Sequence, residues 1–94
     1  MRVKTYEWNV LDYLKTEEDY AHYLNAAIEE GDPDLLQMAI GDIARAKGMT
    51  SVAEDSGLGR ERLYKALRAE ANPSFKTIAK VAKALGLKIT FVPA

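Results

Sequence analysis

Cysteine is absent from this 94-residue chain, which excludes a disulfide framework, thiolate chemistry and a zinc–cysteine centre. Histidine occurs once, as His22, and a single imidazole makes no metal-site pattern. Long apolar runs are missing too, and none approaches the roughly 20 residues needed to cross a bilayer. The opening MRVKTYEWNV lacks the apolar core of a signal peptide, so a cytoplasmic location without a membrane partner is expected. The sequence offers no nucleophile–base pair, no metal-ligand cluster and no phosphate-binding glycine loop. An enzyme is therefore not expected, and no cofactor is implied. Low-complexity tracts are also lacking. With 48% hydrophobic residues the chain should fold as one domain over 1–94, and its small size makes dimer formation helpful to stability.

What is present is unevenly charged. Residues 1–48 hold five basic and ten acidic side chains, a net of −5, whereas residues 49–94 hold eight basic and four acidic ones, a net of +4. A basic half on a near-neutral chain is a partial footprint for a polyanion.

The N-terminal arm, 1–15, begins with weak alternation through Tyr6, Trp8 and Val10, which reads as an extended arm or short strand with Trp8 anchored on the core. Asn9 or Asp12 can cap a turn around Val10–Leu14. Thr16 then opens a helix whose acidic start, Glu17, Glu18 and Asp19, suits the positive end of the helix dipole. Its apolar stripe is Tyr20, Tyr23, Leu24, Ala27 and Ile28, with His22 off the stripe, and Gly31 ends it. Asp32-Pro33 pairs an N-cap with proline at the first helical position and starts a second helix to about Lys47. Leu36, Ala39, Ile40, Ile43 and Ala44 face inward. Gly41 interrupts that pattern at a cost of about 1 kcal/mol, which implies close helix packing or a kink. Arg45 and Lys47 suit the negative end of the dipole, and Gly48 is the stop.

The stretch Met49–Arg68 has helix-turn-helix spacing. Thr50 caps a short helix from Ser51 to Ser56, with Val52 and Ala53 inward; Gly57 supplies the tight turn, and Leu58 plugs the gap between the two helices. Gly59 or Arg60 starts the second helix, which buries Leu63, Ala66 and Leu67 and presents Arg60, Glu61, Arg62, Tyr64, Lys65 and Arg68 outward or nearly so. A loop at Glu70–Pro73 leads to Ser74, the cap of a last helix reaching Leu85 with the stripe Phe75, Ile78, Ala79, Ala82 and Leu85. Gly86 ends that helix, and the alternation in LKITFV reads as a β-strand over 87–92, paired with the N-terminal arm or with a second subunit.

In such a unit the second helix enters the major groove of double-stranded DNA, while amides near the start of the first, at Thr50 and Ser51, meet a phosphate. Arg60 and Arg68 suit guanine, whose two acceptors match a guanidinium fork. Glu61 suits cytosine or orients a neighbouring cation. Tyr64 can touch a phosphate or a thymine methyl, and Lys65 and Lys76 suit phosphates. Lys80 and Lys83 read as solvated surface.

The segments GDIARAKGMT and LYKAL, and NPSF followed by a lysine-rich helix and ALGLK, resemble the addiction-module antidote proteins. The resemblance runs over about residues 13–90. It implies a mainly α, lambda-repressor-like helix-turn-helix bundle of about five helices that works as a homodimer. It also implies an antitoxin of a type II toxin–antitoxin module, which neutralises a small cognate toxin, often a ribonuclease, and represses its own operon through an operator site. Two positions depart from the family pattern: Ser51 stands where glutamine is common, and Gly59 where serine is common. The alternative is an interaction module that binds a basic partner through its acidic first half, with the helix-turn-helix as scaffold.

Overall fold

The computed structural model describes residues 10–94, and the expectations placed on residues 1–9, including Trp8 as an anchor, lie outside the described residues. A 3-10 turn, Val10–Tyr13, leads into five helices: α1 (Glu17–Glu29), α2 (Pro33–Lys47), α3 (Met49–Ser56), α4 (Arg60–Ala66) and α5 (Phe75–Ala84). The mainly α class expected from the sequence holds. The helix starts are built locally. Thr16 accepts from the Asp19 amide at 3.1 Å, and the Asp19 carboxylate accepts from the amides of Lys15 and Thr16 at 2.9 and 3.0 Å, closing a capping box. The amide of Lys15, then that of Thr16, hold the Asp19 carboxyl below its ordinary value. Asp32 accepts from the Asp34 amide at 2.9 Å ahead of Pro33, and Ser74 accepts from the Thr77 amide at 3.2 Å.

α2 packs against α1, α3 and the 3-10 turn, while α3 also touches α4 and α5. The core lies among α2–α5, and its fully buried large side chains are Ile43, Val52, Leu63, Val81 and Leu85. At about 1.5–3 kcal/mol for each such side chain, these aliphatics are the main force holding the helices to one another. Tyr20 and Leu14 seal the α1 side.

Several expectations are corrected. Among the described residues there is no strand, so the β-strand expected over 87–92 does not form. The Gly86 amide bonds to the Lys83 carbonyl at 3.0 Å and the Leu87 amide to that of Ala82 at 2.9 Å, a Schellman closure of α5. Leu87 therefore spends its N–H on the helix end and rests against the core, while Phe91 and Val92, 89% and 81% exposed, bury nothing. Alternation alone cannot supply the neighbouring backbone that a strand needs. The buried line of α5 agrees in part: Leu85 is buried and Ile78 packs on the core as expected, but Val81 and Ala84 turn inward too and Phe75 is 65% exposed, because the stripe is set by where α3 lies. Ile28, near the end of α1, is exposed as well.

Thr50 does not cap α3. Gly48 ends one helix and starts the next: its amide bonds to the Ala44 carbonyl at 2.9 Å and its carbonyl accepts from Val52 at 3.0 Å. α3 thus begins two residues earlier, at Met49, and no side chain caps its first amides.

Candidate nucleic-acid interface

The two helices expected within 49–68 are α3 and α4, joined by Gly57, Leu58 and Gly59. Leu58 is buried, as are Val52, Ala53 and Leu63, so the pair closes over the aliphatic contact expected of it. Ser56 has a part in the turn that its polarity does not suggest. Its hydroxyl donates to the Ala53 carbonyl and accepts from the Leu58 amide, both at 3.3 Å. Gly59 stands at φ 81°, ψ 163°, a region open essentially to glycine alone. It occupies the N-cap position of α4 without a side-chain bond, and its conformation, rather than a missing hydroxyl, explains glycine there.

Arg60, Glu61, Arg62, Tyr64 and Lys65 are exposed on α4. Arg68 is exposed too, but α4 ends at Ala66, so Arg68 follows the helix instead of riding on it. The Arg60 guanidinium lies 5.6 Å from the centre of the Tyr64 ring, within cation–π range. Tyr64 and Arg68 line one hollow, together with Arg45 from α2. Arg62 and Lys65 instead line a groove of about 330 Å³ against Asn72, Pro73 and Thr77 at the start of α5. Lys76 is exposed on the first turn of α5 and does not line that groove. Thr50 is exposed and Ser51 half-buried on the uncapped first turn of α3. Among the described residues the ion pair is Arg45–Asp42, at 2.9 Å. None of the cations of α4 is neutralised by an ion pair within these residues, and Glu61 holds none of them in place.

The segment after α4 is fixed by a residue that sequence reasoning passed over. Gln37 on α2 donates through Nε2 to the carbonyls of Ala66 at 2.8 Å and Arg68 at 3.0 Å. The Ala66 carbonyl is a helix-end acceptor without an intrahelical donor, and the Arg68 carbonyl, beyond the helix, also accepts from the Ala71 amide at 3.0 Å. One turn further along α2, a Cβ on Gly41 would sit 3.3 Å from the Leu67 carbonyl, so α2 and the end of α4 meet backbone to backbone. This is the close packing expected of Gly41. Gln37, Gly41 and Arg45 recur every four residues and form one line on α2 facing the end of α4. The spacing is visible in the sequence, but nothing there says which helix that line meets. Among the described residues no group of three His, Cys, Asp or Glu side chains could hold a metal ion, and no helix is long and apolar enough to cross a membrane.

No solved structure matches the chain significantly. A relative from Haemophilus influenzae, named "Uncharacterized protein", is 45% identical over 82 residues, covering 87% of this chain and 84% of the relative. Residues 4–93 match the profile of a family described as "Probable addiction module antidote protein". Nearly the whole chain is covered, including every helix described above, and the chain belongs to this family of addiction-module antidotes.

Proposed function

We propose that the chain is the antitoxin of a type II toxin–antitoxin module and a sequence-specific DNA-binding regulator of its own operon. The observation that carries the DNA part is the set of cations on and after α4, Arg60, Arg62, Lys65 and Arg68, all exposed and none spent on an ion pair among the described residues. They follow a tight turn whose buried contacts fix α4 against α3, the arrangement a helix-turn-helix uses to present its second helix to the major groove. Arg60 and Arg68 read guanines, Tyr64 contacts a phosphate or a thymine methyl, and Glu61 accepts from cytosine. Lys65, Arg62 and Lys76 meet phosphates, as do the uncapped amides of α3 near Thr50 and Ser51. A homodimer on a two-fold operator doubles these contacts. The antidote family supports a small toxin as the second partner, and the acidic first half, net −5, suits a basic one.

The test is binding of the full chain to a duplex spanning its own promoter, measured by fluorescence anisotropy. Replacing both Arg60 and Arg68 with alanine should cut affinity by at least tenfold, since a bidentate Arg–guanine pair contributes about 1–3 kcal/mol. Helical circular dichroism should be unchanged. Equal affinity in the double variant refutes this face. Co-expression with the neighbouring small reading frame tests the toxin part, which fails if the two proteins neither co-purify nor offset each other's effect on growth.

A further inference from the structure

We infer that Arg45, on α2 and outside the helix-turn-helix, is a DNA-backbone contact, meeting with Tyr64 the phosphodiester beside the base that Arg68 reads. This rests on the DNA reading above. The three side chains line one hollow of about 150 Å³, along with Met49 and Leu67, and no acidic residue lines it. A hollow bordered by two guanidinium groups and a phenol, on an apolar base, offers donors to an anion and no acceptor charge of its own.

Arg45 is also held in place before any ligand arrives. Its Nη2 donates to Asp42 Oδ1 at 2.9 Å, and the other oxygen of Asp42 accepts from the Tyr23 hydroxyl at 2.7 Å. A guanidinium has five donors, so this bond leaves others free for a phosphate. Both Nη atoms lie 3.5 Å from where a Cβ on Gly41 would stand, so the head group folds over the glycine, beside the Leu67 carbonyl. Gln37 clamps the flanking carbonyls of Ala66 and Arg68. The line Gln37–Gly41–Arg45 therefore fixes the chain that carries Arg68 relative to the Arg45 head group. Half of the Arg45 side chain, 51%, remains open to solvent.

A phosphate contact carries no sequence information, so its loss has a signature of its own. Arg45→Ala should weaken specific and non-specific duplexes by the same factor, and should lower the slope of log K against log salt by about 0.9, one phosphate's worth. Arg45→Lys keeps the charge and should keep the slope, with a smaller loss of affinity. Both variants should retain the helical circular dichroism and melting temperature of the parent. An unchanged slope in Arg45→Ala, alongside lost binding in the Arg60/Arg68 double variant, overturns the role of Arg45 and leaves the DNA reading standing. Equal loss in Arg45→Ala and Arg45→Lys also overturns it. Normal binding by the double variant removes the DNA reading, and this inference with it.

Discussion

Gly59 separates two physical effects that point in opposite directions. Serine there would place an N-cap hydroxyl on α4 and would reduce the freedom of the unfolded chain. The cap advantage of serine over glycine is about a few tenths of a kcal/mol, and the unfolded-state gain is about 0.4–1 kcal/mol where the native dihedrals suit a side chain. At φ 81°, ψ 163° they do not. Holding an L-residue in that region costs about 1–3 kcal/mol. A Cβ at Gly59 would meet nothing within 4 Å, so the cost is conformational and is not inflated by a clash. The strain wins, and Gly59→Ser should destabilise the fold by about 1–2 kcal/mol, with both opposing gains reduced by the misplaced backbone. For a domain of this size that lowers the melting temperature by about 4–15 °C. Thermal unfolding at 222 nm, paired with urea melts to confirm an unchanged m-value, measures it. A Gly59→Ser variant as stable as the parent, or more so, refutes the argument, because it means residue 59 adopts a negative φ and a capping geometry.

Two further outcomes follow from the same structure. Leu63→Ala empties a fully buried position on the inner face of α4 and should cost about 2–5 kcal/mol, a large share of the roughly 5–14 kcal/mol expected for a domain of this length, as read by urea unfolding. Asp19→Asn tests the capping box through pH. The folded carboxyl titrates below its unfolded value, so its contribution is complete above about pH 4 and fades as pH falls through the folded value. The stability gap between parent and Asp19→Asn should therefore narrow on acidification, and a gap that stays constant from pH 7 to pH 3 refutes the assignment.

Which parts of the molecule were legible in advance follows from the range of the forces involved. Thr16, Asp32-Pro33 and Ser74 mark helix starts because their oxygens bond to amides two or three residues away, inside the same short segment. The segment 49–68 was equally readable: Gly57 in the turn, buried Ala53, Leu58 and Leu63, and exposed basic side chains on α4 all follow from local spacing. The site itself was only half visible. Its cations could be named, but not their division between two faces, with Tyr64 and Arg68 beside Arg45 and with Arg62 and Lys65 toward α5.

The sequence by itself determined the helices, their starts except that of α3, and the charge of the second half, since each depends on neighbours along the chain. Only the tertiary structure decided matters that need a partner from elsewhere. The alternating tail after Gly86 forms no strand, and its first amide closes α5 instead. The apolar stripe of α5 turned toward Val81 and Ala84 because α3 lies on that side. Gln37, Gly41 and Arg45, up to 31 residues from the carbonyls that Gln37 holds, became one surface because α2 meets the end of α4 there. Hydrogen bonds and close packing act over a few ångströms, so contacts between residues far apart in the chain exist only once the helices are assembled.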